Sequence, residues 1–224
     1  MNQAALREFN QQPVIRLVDD DVSFRRAIQR VLQTSGYLVE DYGSVGDMLL
    51  AGVGNYHGCL ILDIHMPGPS GLDLQDMLKA HANSLPVIFV TGEATVRESV
   101  RAMKAGAADF LLKPIEAETL LAAVDKTLQE ASSCRQQNEQ FSSLRTRYAS
   151  LSSREKEIVN MVGNGMLNKQ ISAALNVAER TVKAHRARAM EKMEVRTLAE
   201  LVRSMEQLYR HNTERETISH LEAV

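Results

Sequence analysis

The chain has 224 residues, of which 44% are apolar and 24% charged, with a formal net charge of −2; this balance is ordinary for a soluble globular protein and leaves room for two modest domains, each with its own core. No apolar run approaches the roughly 20 residues needed to span a bilayer, and the polar start MNQAALREFNQQ lacks a signal-peptide core, so a cytoplasmic protein without membrane contact is expected. Cys59 and Cys134 have no close-spaced Cys or His partners, which argues against a disulfide framework or a zinc site and leaves both as free thiols.

Charge is unevenly distributed. Residues 150–210 hold 11 Lys or Arg against 7 Asp or Glu, a balance of +4, so the remainder carries −6. A basic module therefore follows an acidic one. In chain order, strands are predicted at Val14–Val18, Leu38–Tyr42, Cys59–Leu62, Val87–Val90 and Phe110–Leu112, separated by amphipathic segments. In SFRRAIQRVLQTSG, for example, Phe24, Ala27, Ile28, Val31 and Leu32 follow helical spacing and Gly36 ends the helix. Alternating strands and helices imply a doubly wound, five-stranded parallel sheet covered on both faces, because parallel strands need crossovers. Strands buried that way should be continuously hydrophobic, and these mostly are.

This α/β unit is expected over residues 1–124, followed by a linker over 125–148 centred on SSCRQQNEQ. Leu120, Leu121, Val124, Leu128 and Ala131 keep a helical period into it, so the fifth helix runs on or gives way to a flexible tether. An all-α module is expected over 149–210, and a mixed, frayed tail over 211–224.

In an open parallel sheet, ligands bind at the carboxyl ends of the strands where the strand order reverses. Asp19, Asp20 and Asp21 follow the first predicted strand, Asp63 ends the third, Thr91 the fourth and Lys113 the fifth. One strand-end Asp means little, since Asp also forms turns and helix caps. Several carboxylates on one rim repel one another unless a cation lies among them, and a few oxygen ligands suit Mg2+. A carboxylate beside Mg2+ can act as a nucleophile toward phosphorus. Asp21 either joins this group or begins the first helix.

In the basic module, Ser152 followed by Glu155 reads as a capping box, with Ile158, Val159 and Val162 inward. Asn168 is expected to cap the next helix, where Ile171, Ala174 and Leu175 face inward. The turn NVAE then leads into RTVKAHRARAMEKM, giving a helix-turn-helix whose second helix enters the major groove of double-stranded DNA. On that helix Val182, Ala189 and Met193 cluster inward, while Arg180, Lys183, Ala184, Ala187 and Arg188 point away. Lys and Arg there reach guanine edges or phosphates, and the alanines meet thymine methyls. Thr181 belongs to the same DNA-facing set, whereas His185 and Arg186 fall on the boundary of the two faces, for base reading, phosphate contact or packing. Lys169 is a phosphate candidate. Thr197 and Glu200 form another capping box, after which Leu198, Leu201, Val202, Met205 and Leu208 share a face, for pairing or for intramolecular packing.

LVDDDVSFRRAI, LILDIHMPGPSGLDL, VTGEA and AGAADFLLKP resemble, in order and spacing, the signature blocks of two-component receiver domains, which have the flavodoxin/CheY-like fold. SSREKEIV, NGMLNKQIS, ERTVKAH and MEKMEVRTLAELV resemble the LuxR-type DNA-binding domain. Together the halves are similar to response regulators of the FixJ and NarL type. The resemblance implies a phosphorylation-activated transcription factor with Asp63 as phosphoacceptor, and Mg2+ held by Asp19, Asp20, Asp63 and the backbone carbonyl of His65. Thr91 and Lys113 would bind the phosphoryl group, Phe110 would be the aromatic switch, or plain core, and the peptide before Pro114 would be cis. The His65 side chain is expected to face solvent rather than act as a ligand. The implied partners are a sensor histidine kinase, DNA and a second copy of the phosphorylated chain, paired through Leu198, Leu201, Val202 and Met205. Many members have Ser where Ala178 starts the recognition helix, a departure that removes a cap.

Two alternatives accompany this reading. One is a DNA-binding regulator whose receiver ignores phosphate, against which the complete acidic set, Thr91 and Lys113 argue. The other is a Mg2+ dependent phosphatase of the haloacid dehalogenase kind, whose motif is missing where Val22 follows the three aspartates. The expected chemistry is self-phosphorylation and slow self-hydrolysis, without turnover as an enzyme.

Overall fold

The computed structural model describes residues 12–52, 57–79 and 85–221, with side chains described as far as residue 210. The polar start, residues 1–11, lies outside this range. The chain divides into two compact units that meet at Ser133 and Cys134.

In the first unit β1 (Val14–Val18), β2 (Leu38–Tyr42), β3 (Gly58–Leu62), β4 (Val87–Thr91) and β5 (Asp109–Leu112) alternate with α1 (Val22–Thr34), α2 (Val45–Ala51), α3 (Gly71–Lys79) and α4 (Val96–Lys104). All pairings are parallel, in the order β2-β1-β3-β4-β5. The register sets Val14 beside both Leu38 and Gly58, and Val18 beside Leu62. The ends of β1 and β3 are therefore level where the strand order reverses.

Side-chain alternation sends the core to two faces. Val18, Leu60, Leu62 and Phe89 pack with Val45, Met48, Leu72 and Ala102. Ile15, Leu17, Cys59, Ile61 and Val90 pack with Ile28 and Leu32 of α1 and with Leu120 and Val124 beyond β5. Each fully buried side chain of this size contributes about 1.5–3 kcal/mol. Continuous burial holds for β3 and β4, whereas the edge strands β2 and β5 are only half-buried. Ala27, expected to face inward, is exposed.

Two glycines permit close main-chain approach. A Cβ on Gly58, at φ +133°, would fall 1.8 Å from the Val14 carbonyl oxygen, and one on Gly71 would fall 2.2 Å from that of Asp63. Gly71 also donates its N–H to the Ile64 oxygen at 3.1 Å. The turn behind Asp63 thus folds back against its own main chain.

After β5 a single helix, α5, spans Ala117–Ala149, 33 residues, so the linker segment is helical. Its first part belongs to the first unit. Phe141, Leu144 and Tyr148 belong to the core of the second, with Leu151, Ile158, Val159, Val162, Ile171, Val182, Ala189 and Met193. This module was expected to start at residue 149; the compact unit starts at Cys134.

The second unit continues with α6 (Ser153–Gly163), α7 (Asn168–Leu175), α8 (Glu179–Lys192) and α9 (Leu198–Leu221). No Gly or Pro interrupts residues 211–221, and helix replaces most of the expected tail; residues 222–224 lie outside the described range.

Candidate functional site

The acidic group forms at the level ends of β1 and β3. Asp19 and Asp63 are 1% and 6% exposed, Asp20 is exposed, and one carboxylate oxygen from each can lie within 4.8 Å of the others. Asp19 Oδ1 accepts the Asp21 N–H at 2.9 Å, and Asp63 Oδ1 accepts that of His65 at 3.2 Å. Lys113 Nζ, arriving from β5, lies 2.5 Å from Asp19 Oδ2 and 2.9 Å from Asp63 Oδ2. Burial pushes the Asp19 carboxyl above the ordinary range even with Lys113 beside it. Burial also opposes the Lys113 charge, but the hydrogen bonds it donates to the Asp19 and Asp63 carboxylates outweigh it and hold the ammonium above its ordinary value. Three hard oxygen donors facing a single ammonium fit a small divalent cation such as Mg2+.

Asp21 stands apart from this group. Its Oδ1 accepts from the Ser23 and Phe24 N–H groups at 2.8 and 3.1 Å, capping α1 and lowering its own pKa. Thr91 is buried and donates to the Glu93 carbonyl at 2.8 Å. Phe110 is half-buried, 6.2 Å from Phe89 between ring centroids, and the Lys113–Pro114 peptide is cis.

The second unit presents a basic surface. Val182 and Ala189 of α8 and Met193, which caps its C-terminus, are fully buried, and Arg180, Lys183, Ala184, Ala187 and Arg188 are exposed. Thr181, His185 and Arg186 are half-buried, and Lys169 is exposed at the start of α7. Arg186 Nη1 donates to Asn168 Oδ1 at 3.1 Å, which makes it a tie between α7 and α8. Asn168 is therefore not the cap of α7: Leu167 holds that position, and its N–H is taken by Gln170 Oε1 at 2.8 Å. Ala174, expected inward, is exposed.

Residues 15–125 match the response regulator receiver domain family, and residues 149–205 match the bacterial regulatory proteins, luxR family. Nodulation protein W of Bradyrhizobium diazoefficiens is 37% identical over 201 residues, covering 90% of this chain and 88% of its own. The chain belongs to the two-component response regulators that join a receiver to a LuxR-type DNA-binding domain. The transcriptional regulatory protein FixJ of Azorhizobium caulinodans is 39% identical to the regulator over 189 residues, covering 84% of this chain and 90% of its own. A solved structure of the response regulator StyR is 40% identical, with a TM-score of 0.80, over 88% of this chain and 99% of its own. Among the regulator's described residues no helix is long and apolar enough to cross a membrane.

Other side chains depart from expectation. His65 is exposed as expected, yet its Nε2 lies 2.9 Å from Glu98 Oε1 and its Nδ1 3.5 Å from Thr91 Oγ1. Thr95 and Glu98 form a capping box on α4, the same T-x-x-E pattern as Thr197 and Glu200, and spacing alone could have revealed it. Hydrogen bonds from Thr95 and then His65 push the Glu98 carboxyl down to about 2. Glu155 caps α6 as expected but also takes Lys192 Nζ at 2.7 Å. On α9 Leu201 and Met205 are buried in the module's own core, while Leu198 is 49% exposed and Val202 half-buried. Helical period shows that residues share a face, not what covers it.

Proposed function

We propose that the regulator is switched by transfer of a phosphoryl group to Asp63, and that the switched form grips double-stranded DNA through the exposed face of α8. One arrangement supports this above all others: Asp63 ends β3 within reach of Asp19 and Asp20, with the Lys113 ammonium 2.9 Å from its Oδ2. An Asp63 carboxylate oxygen attacks phosphorus of a phosphohistidine on a sensor histidine kinase, or of a small acyl phosphate, and the departing group leaves with the bond electrons. Asp19, Asp20, Asp63 and the His65 backbone carbonyl would hold Mg2+, which when bound neutralises charge on the phosphoryl oxygens.

The new group adds about 1.5 to 2 negative charges and three acceptors. Lys113 pairs with one phosphoryl oxygen in place of a carboxylate contact. The Thr91 hydroxyl, now donating to Glu93, turns to another. Its inward movement leaves space for Phe110, which reshapes the surface around α4 and β5. In the second unit Arg180, Lys183, Ala184, Ala187 and Arg188 read base edges and thymine methyls. Thr181, His185 and Lys169 serve phosphates, and Arg186 holds α7 against α8. Two phosphorylated chains pair on DNA, with Leu198 and Val202 as the surface of α9 that remains open to a partner. These steps belong in the cytoplasm, with kinase output and genomic DNA.

Intact-mass measurement after incubation with acetyl phosphate and Mg2+ tests the reading. One phosphoryl group per chain is expected, absent without Mg2+ and absent in Asp63→Asn. Equal labelling of Asp63→Asn would place the acceptor elsewhere.

A further inference from the structure

Phe24 and Arg25 stand on the first turn of α1, beneath the acidic rim. Phe24 packs against the core formed by the sheet, α1 and α5, and its ring lies under Lys113 with Nζ 4.1 Å from the centroid. Lysine is a point charge on a flexible four-carbon stem. With Asp19 and Asp63 on one side, an aromatic face on another attracts the ammonium and keeps water from it. The ring therefore restricts where the charge can rest.

Arg25 acts on the opposite half of the pocket. Its Nη1 donates to the Asp19 main-chain oxygen at 2.5 Å, and its Nε lies 3.4 Å from Asp41 Oδ2 on β2. Gln29 Nε2 donates to the other Asp41 oxygen at 3.0 Å, so the guanidinium is itself held in place. The carbonyl it grips belongs to the peptide that joins Asp19 to Asp20. Without that bond the segment carrying both carboxylates can rotate.

We propose that this turn positions the pocket's two halves separately: Phe24 seats the Lys113 ammonium, and Arg25 fixes the main chain that presents Asp19 and Asp20 to a divalent cation. Both are positioning residues. The proposal rests on the reading of Asp63 as phosphoacceptor in a Mg2+ pocket, and its two halves have separate readouts.

The test uses the full chain with Phe24→Leu, Phe24→Tyr and Arg25→Gln. Mg2+ affinity of the unphosphorylated protein is measured by titration calorimetry. The rate of transfer from radiolabelled acetyl phosphate is measured at saturating Mg2+. In that step the bond from Asp63 to phosphorus forms, the bond from phosphorus to the acetyl oxygen breaks, and acetate leaves with the electron pair.

Phe24→Leu keeps an apolar side chain but removes the ring, and is expected to slow transfer about three- to tenfold. Its Mg2+ affinity should stay within about twofold of wild type, and Phe24→Tyr should restore the rate. Arg25→Gln is expected to weaken Mg2+ binding about tenfold while the rate at saturation holds. Circular dichroism checks the fold, and Phe24→Met removes the same ring if the leucine variant unfolds. An unchanged rate in Phe24→Leu, or failure of tyrosine to restore it, overturns the proposal. So does tighter Mg2+ binding by Arg25→Gln, the result if Arg25 merely repels a cation. Variants that match a wild type able to accept label overturn this proposal alone; a wild type that accepts none overturns the reading of Asp63 as well.

Discussion

Ala178 occupies the N-cap of α8 with extended backbone and no side-chain bond to the free amides of the first turn. A serine hydroxyl there would satisfy one of them and add about 1 kcal/mol. Ala178→Ser should therefore raise the melting temperature of the DNA-binding module by about 4–8 °C in calorimetry; an unchanged or lower value would mean that the helix begins elsewhere. Glu155 gives the opposite case. Lys192 and the Ser152 backbone push its carboxyl from 4.5 down to about 2. Because the folded value lies below the unfolded one, this contribution is complete above about pH 4.5 and fades as pH falls toward 2. Glu155→Ala should cost about 2 kcal/mol at pH 7 in chemical denaturation and flatten the acid limb of the stability profile between these values. The capping role was legible from Ser152 and Glu155 three apart, whereas the Lys192 contact joins residues 37 apart in sequence, which spacing cannot show. Asp63, Lys113 and Thr91 were legible because each ends an apolar strand. Phe24 was legible only as a core residue, since helical period carries no information about what lies over a ring.

The strands were recovered to within one residue in the buried centre and at the half-buried edges alike. β1 and β2 have the expected limits, β3 and β4 each gain one residue, and β5 begins one residue earlier at Asp109. The α9 face was ambiguous for a physical reason: an apolar stripe looks the same whether its own core or a second copy covers it. Leu201 and Met205 are buried within the module, so Leu201→Ala should cost about 2–5 kcal/mol of stability. Leu198→Asp, at a half-exposed position, should leave the melting curve nearly unchanged while reducing dimer in sedimentation of the phosphorylated protein. The reverse pattern would assign pairing to Leu201. α5 was expected as a helix or a tether, and its final turns contribute Phe141, Leu144 and Tyr148 to the second core. A fragment beginning at Ser150 should therefore melt well below one beginning at Cys134.

At the scale of the whole molecule, an acidic pocket on a parallel sheet and a basic helical reader occupy different compact units of one chain. Charge asymmetry, strand-end carboxylates and the helix-turn-helix spacing make this division legible in the amino-acid sequence. Which side chains hold the pocket in shape is visible only where distant segments meet. The central claim is that phosphorylation at Asp63 alters DNA binding, and the most direct test is footprinting of genomic DNA by the full chain with and without beryllofluoride and Mg2+. Wild type should protect defined sites at a lower protein concentration when both are present, and Asp63→Asn should show no such shift. Equal shifts in the two proteins, or none in wild type, would contradict the account.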